Sequence, residues 1–125
     1  MKTVLCADDN QEIIDVVKIL AERVGYQVVA ATTGKQAMEL CVSQKPDMVL
    51  MDINLPDMDG IAVTEKLRAA GFKKPVVMLT ASESDEDRER ALSAGCDDYI
   101  LKTIDMGDVE IMLSRYLSEQ SDFLS

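Results

Sequence analysis

Residues 47–60 read DMVLMDINLPDMDG. Four consecutive apolar residues, Met48–Met51, are too few for a helix and offer no polar side. This is the pattern of a strand covered on both faces, as in a parallel sheet. The run stops at a carboxylate, Asp52, and then meets Asn54 and Pro56, residue types that open turns. A buried strand that delivers an acid to its carboxyl end is the unit from which the rest of the chain can be read.

Working outward, four further short apolar runs predict strands at Thr3–Ala7, Gln27–Ala31, Val76–Leu79 and Tyr99–Leu101. Between them apolar residues return every three or four positions, the helical period. Such sets are Ala37, Leu40 and Cys41, then Val63, Leu67 and Ala70, and finally Val109, Met112, Leu113 and Tyr116. Residues Asp85–Ala94 carry mostly charge, yet Ser84 supplies an N-cap and Gly95 a stop, so they also read as helix. Gly25, Gly71 and Gly95 each follow a helical run, and Pro46 and Pro75 shortly precede strands. Strand and helix alternate five times, which implies parallel strands joined by right-handed crossovers, an open α/β sandwich with helices on both faces. In the first helix Ile13, Val17, Leu20 and Val24 share a narrow face, while Ile14 and Ile19 fall off its centre.

The chain has 125 residues, 47 % of them hydrophobic, enough for one domain, residues 1–125, with a core that needs no metal or disulfide staple. The tail from about Ser118 is polar except for Phe123 and Leu124 and is expected to be a frayed helix end. Thirteen basic residues against 23 acidic ones give a net charge of −10, a surface that repels nucleic acid phosphates and anionic membranes. The three cysteines are widely spaced and there is no histidine, so neither a zinc set nor a disulfide framework is expected, and a reducing cytoplasm fits. No run is long enough for a signal peptide or a membrane span. The eight methionines are scattered at core spacing and read as core filler.

In an open parallel sheet the ligand crevice lies beyond the carboxyl ends of the strands, where strand order reverses. The residues that close the predicted strands are Asp8 and Asp9, Asp52, Thr80 and Lys102. Hard carboxylate oxygens of this kind suit Mg²⁺. A carboxylate fixed at a strand end beside a metal can serve as a nucleophile toward phosphorus. Lys102 can neutralise transferring phosphoryl oxygens and Thr80 can donate to one of them.

With Asp8-Asp9, Met51-Asp52, Leu55-Pro56, Asp59-Gly60, Thr80-Ala81, Gly95-Cys96-Asp97-Asp98-Tyr99 and Lys102 in this order, the chain resembles the receiver domains of two-component response regulators over nearly its whole length. The resemblance implies a flavodoxin-like fold, a five-stranded parallel sheet of strand order 2-1-3-4-5. It implies Asp52 as phosphoacceptor, and Asp9, Asp52 and the backbone carbonyl of Asn54 as ligands of Mg²⁺, with Mn²⁺ able to substitute. Asp8 would act through metal-bound water. Lys102, Thr80 and the amide of Ala81 would hold the phosphate, and Tyr99 would move inward as Thr80 is drawn toward it. Asn54 and Ser82 would tune the lifetime of the phosphoryl group.

The implied role is signalling rather than enzymatic turnover of a substrate, in a stand-alone, cytoplasmic receiver that catalyses only its own phosphorylation and dephosphorylation. The phosphodonor is a sensor histidine kinase or a histidine phosphotransfer protein. The target is a protein that meets the face of helix 4, strand 5 and helix 5, roughly residues 85–117. The first helix docks the donor in this family, which leaves two readings for Ile14: a donor contact, or burial under the last helix. Two positions depart from the family pattern. Thr103 stands where proline commonly follows the lysine in a cis peptide, so a trans bond and a differently shaped loop are expected. Cys96 replaces a small alanine, a conservative change.

Other chemistries fit less well. A nucleotide-binding loop at Thr33-Gly34-Lys35 lacks its earlier glycine, since Val29 stands there, and Gln36 takes the place of the hydroxyl residue. A flavin site lacks aromatic residues to sandwich a ring, at 4 % aromatics and no tryptophan. A phosphatase of the haloacid dehalogenase type needs an acid where Asn54 stands. A receiver-fold module that binds its partner without phosphorylation would show a broken acidic site, and this one is intact.

Overall fold

The computed structural model describes residues 1–103 and 106–118. The strands are β1 (Thr3–Ala7), β2 (Gln27–Ala31), β3 (Met48–Met51), β4 (Val76–Thr80) and β5 (Asp98–Leu101). The helices are α1 (Gln11–Arg23), α2 (Gly34–Ser43), α3 (Gly60–Ala69), α4 (Asp85–Ser93) and α5 (Gly107–Leu117). All strand pairs are parallel and their order is β2-β1-β3-β4-β5, the flavodoxin-like order expected. The frayed end expected after Ser118 lies outside the described residues.

Because side chains alternate along a strand, the strands divide their apolar residues between two cores. Leu5, Ala7, Val49, Met51, Val76 and Met78 face α2, α3 and α4, packing on Ala37, Cys41, Ile61, Val63, Leu67 and Ala91. Val4, Cys6, Met48, Leu50, Val77 and Leu79 face α1 and α5. Every residue of β3 and β4 is buried, which explains why those runs show no polar alternation.

In α1 the buried stripe is Ile14, Val17, Leu20 and Ala21. Ile14 is 1 % exposed and joins Val109, Met112 and Leu113 of α5 in one cluster, so burial under the last helix is the correct reading and a donor contact is excluded. Val24, expected on the buried face, is 56 % exposed. It is the C-cap residue with non-helical backbone, so the helical period no longer governs it. Ile19 is exposed, as its position off the stripe implies.

Local chemistry sets the helix ends. Asn10 caps α1 by accepting from the Glu12 N–H at 2.9 Å, and Ser84 caps α4 by accepting from the Asp87 N–H at 3.2 Å. Gly25, Gly71 and Gly95 take φ of +88°, +95° and +108° after their helices, a region closed to most side chains. Only Ala91 of α4 is buried, so little apolar energy fastens that helix. Two strands extend one residue beyond the predicted ends: Thr80 is the last residue of β4 and Asp98 the first of β5.

Candidate functional site

Strand order reverses between β1 and β3, since the chain leaves β1 to form β2 on one side and returns to build β3 on the other. The register pairs Ala7 with Met51, so the next residues, Asp8 and Asp52, emerge side by side. Backbone bonds fix both: Asp8 N–H donates to the Ala31 carbonyl and Asp52 N–H to the Ala7 carbonyl, each at 2.9 Å. On the far side Thr80 pairs with Leu101, and the Lys102 N–H donates to the Thr80 carbonyl at 2.9 Å. Lys102 therefore leaves the sheet beside Thr80 and reaches back across it.

Its ammonium lies 3.0 Å from Asp52 Oδ2 and 2.7 Å from Asp8 Oδ2. Asp8 is 1 % exposed and Asp52 5 %, whereas Asp9 is exposed. One oxygen from each of the three carboxylates lies within 4.8 Å of the others. Asp8 Oδ1 accepts from the Asn10 N–H at 2.9 Å and Asp52 Oδ1 from the Asn54 N–H at 3.3 Å. Asp8 Oδ2 is buried, and the Lys102 ammonium at 2.7 Å is its partner.

Burial raises the Asp8 pKa, the Lys102 contact and the Asn10 amide only partly offsetting it, and the Asp52 charge adds to the rise. For Lys102 burial works against the ammonium, but hydrogen bonds with Asp8 and Asp52 outweigh it and the pKa is raised. A lysine held charged among three acids leaves the site short of positive charge. The residues present thus fit a hard divalent cation such as Mg²⁺, with three clustered carboxylates against a single ammonium.

The loop after Asp52 folds back on itself. Gly60 N–H donates to the Ile53 carbonyl at 2.7 Å, and Asn54 bridges Asp59. A Cβ at position 60 would collide with the Asp52 backbone carbonyl, so Gly60 is required for the approach itself. Asp59 caps α3 through the Ile61 N–H at 2.7 Å, and Asp57 accepts from the Gly34 and Lys35 N–H groups of α2 at 2.7 and 3.0 Å.

The expected residues come together unevenly. Asp8, Asp9, Asp52 and Lys102 form one cluster, with exposed Asn54 beside it. Thr80 is fully buried, its Oγ1 accepting from the Ser82 N–H at 3.2 Å. Ala81 follows it, exposed. Tyr99 is 7 % exposed, already inward, and its hydroxyl donates to the Ser82 carbonyl at 2.8 Å. No cis peptide occurs among the described residues, so the Lys102–Thr103 bond is trans, and Thr103 Oγ1 accepts from the Met106 N–H at 3.1 Å. The Ser82–Asp87–Arg90–Asp59 chain of polar contacts was not foreseeable, because α4 reads in sequence only as a charged helix.

Residues 4–114 match the family model described as the response regulator receiver domain. The chain belongs to the response regulator receiver family. Among curated proteins, this receiver is 34 % identical over 116 residues to the alkaline phosphatase synthesis transcriptional regulatory protein PhoP of Bacillus subtilis, covering 93 % of this chain and 48 % of PhoP. It is 36 % identical over 115 residues to the probable transcriptional regulatory protein TcrX of Mycobacterium tuberculosis, covering 92 % of the chain and 49 % of TcrX. The chain thus spans about half the length of these relatives. Among solved structures it resembles a CheY-like response regulator receiver domain protein from Methanospirillum hungatei, with a TM-score of 0.88, 31 % identity and 98 % coverage of both chains. The BeF3-activated N-terminal receiver domain of Klebsiella pneumoniae RstA superposes with a TM-score of 0.86 at 31 % identity, covering 93 % of this chain and 98 % of that one. The receiver is therefore a signalling module of the two-component type. No helix among its described residues is long and apolar enough to cross a membrane.

Proposed function

We propose that residues 1–125 act as one receiver domain that takes a phosphoryl group from a phosphohistidine donor onto Asp52. The observation that carries this reading is the convergence of Asp8, Asp9 and Asp52 with the Lys102 ammonium at the switch point of the sheet. Asp52 is buried, fixed by its backbone bond to β1, and follows β3, the middle strand of the five.

A carboxylate oxygen of Asp52 attacks phosphorus in line as the phosphorus–nitrogen bond of the donor breaks and the imidazole departs. Lys102, already 3.0 Å from Asp52 Oδ2, neutralises charge on the transferring group. The Thr80 hydroxyl accepts from Ser82 N–H and so keeps its own proton to donate to a phosphoryl oxygen, alongside the amide of Ala81. Asp9, Asp52 and the Asn54 carbonyl would hold Mg²⁺, with Asp8 acting through a bound water. When bound, the ion supplies charge neutralisation for the phosphoryl oxygens and the crowded carboxylates. Hydrolysis later breaks the acyl phosphate by water attack at phosphorus, with Asn54 and Ser82 at the approach.

The signal is a shift between two states by differential interaction with the phosphate, carried by Thr80 and Tyr99 to the α4–β5–α5 face. That face meets a protein target, and a sensor histidine kinase or histidine phosphotransfer protein is the donor. With a net charge of −10, direct contact of this chain with nucleic acid is disfavoured, and a cytoplasmic setting suits three buried thiols with no disulfide. The test is intact mass after incubation with Mg²⁺ and acetyl phosphate. A single phosphoryl adduct that disappears in Asp52→Ala and in chelator is expected, and a folded wild type that gains none overturns the reading.

A further inference from the structure

We infer that α4 clamps Tyr99 in its inward position: Asp87, acting through Ser82, and Arg88, lying on the ring, are positioning residues that favour the phosphoryl-accepting state. The inference rests on the reading of Asp52 as acceptor and of Tyr99 as coupled to it. Ser82 is the junction. Its N–H donates to Thr80 Oγ1 at 3.2 Å, its carbonyl accepts from the Tyr99 hydroxyl at 2.8 Å, and its own hydroxyl donates to Asp87 Oδ2 at 2.7 Å. One residue thus holds the strand-end hydroxyl, the inward aromatic and the helix.

Its neighbours Ala81, Glu83 and Ser84 are exposed, so they contribute no buried anchor to this loop. Of the bonds that fix it, the one to Asp87 is assisted by a full charge and is the strongest in kind. Asp87 is itself braced: Arg90 contacts it at 3.1 Å and reaches Asp59, in the loop that follows Asp52, at 3.2 Å. The Arg88 guanidinium sits 5.6 Å from the centre of the Tyr99 ring, a cation–π contact. Since α4 buries only Ala91, these polar ties join the Ser84 cap in setting where its first turns lie. Whatever holds Tyr99 inward must, by reciprocity, tighten binding of any ligand that requires it there.

The experiment uses the full chain and two readouts. The first is the assigned ring resonances of Tyr99 without any phosphodonor, in wild type, Asp87→Ala, Asp87→Asn and Ser82→Ala, with the amide spectrum confirming the fold. In Asp87→Ala and Ser82→Ala the ring should move toward the shifts of an exposed tyrosine. Asp87→Asn, whose amide oxygen still accepts from Ser82, should stay close to wild type. The second is affinity for beryllofluoride in Mg²⁺, expected to fall ~3–10-fold in Asp87→Ala, with no added loss when Asp87→Ala is placed in Ser82→Ala. Unchanged Tyr99 resonances in Asp87→Ala, or a loss that persists undiminished in the Ser82→Ala background, would overturn the inference. A wild type that binds no beryllofluoride would instead fail the phosphoacceptor reading, while the Tyr99 resonances still decide the clamp.

Discussion

Lys102 stands closer to Asp8 than to Asp52, at 2.7 Å against 3.0 Å. One ammonium therefore serves two buried carboxylates, and a third acid lies within 4.8 Å. The excess negative charge is held by the fold at a cost.

The sign of that cost follows from Asp8, whose folded pKa is raised, chiefly by burial. A raised folded pKa means stability that is complete below the ordinary carboxylate value and lost as pH rises through the folded one. Above its folded pKa the ionised Asp8 therefore destabilises the metal-free protein. Asp8→Asn keeps the oxygen that accepts from Asn10 and removes the charge, so it should raise metal-free stability, seen as a higher urea midpoint. The gain should shrink as pH falls. Adding Mg²⁺ should stabilise the wild type more than the variant.

At Gly60 the expected outcome is the opposite. Because an added Cβ would meet the Asp52 carbonyl, a backbone atom that cannot swing aside, Gly60→Ala should cost about 2 kcal/mol or more. Chemical denaturation reads the stability, and acetyl phosphate labelling should show the acceptor displaced as well.

Ile14 and Ile19 separate packing from surface on one helix. Ile14 is 1 % exposed and Ile19 58 %. Ile14→Ala should lose about 3 kcal/mol and Ile19→Ala less than about 0.5 kcal/mol, measured by the same unfolding curves.

The thiols should be silent in the folded protein. Burial pushes Cys6 up to about 12 and Cys41 and Cys96 up to about 11, and the thiolate is the reactive form. At pH 8 iodoacetamide should label none of the three cysteines in the native state and all of them in urea. Their raised values also mean that the stability they contribute is full below the unfolded thiol pKa, about 8.5, and declines as pH rises toward 11.

The strand-end residues were legible because a parallel strand buried on both sides appears as a short apolar run, and the first charged residue after it marks the crevice. Asp8, Asp52 and Lys102 follow from that rule. Thr80 and Asp98 lie one place outside the apolar runs because polar residues can close or open a strand without interrupting its ladder. Ile14 stayed ambiguous because helical periodicity fixes spacing but not the centre of the stripe, which here depends on where α5 lies and on Val24 leaving the helix. The contacts of Asp57 with α2 and of Arg90 with Asp59 join residues 22 to 31 positions apart, a separation at which no local pattern carries information.

The most direct test of the central claim is to locate the acyl phosphate. After labelling with acetyl phosphate and Mg²⁺, borohydride reduction converts a phosphorylated aspartate to homoserine, which peptide mass spectrometry can place. Homoserine at position 52 alone is the predicted result. Homoserine at position 8 or 9, or at no position in a protein that has gained the phosphoryl mass, would contradict it.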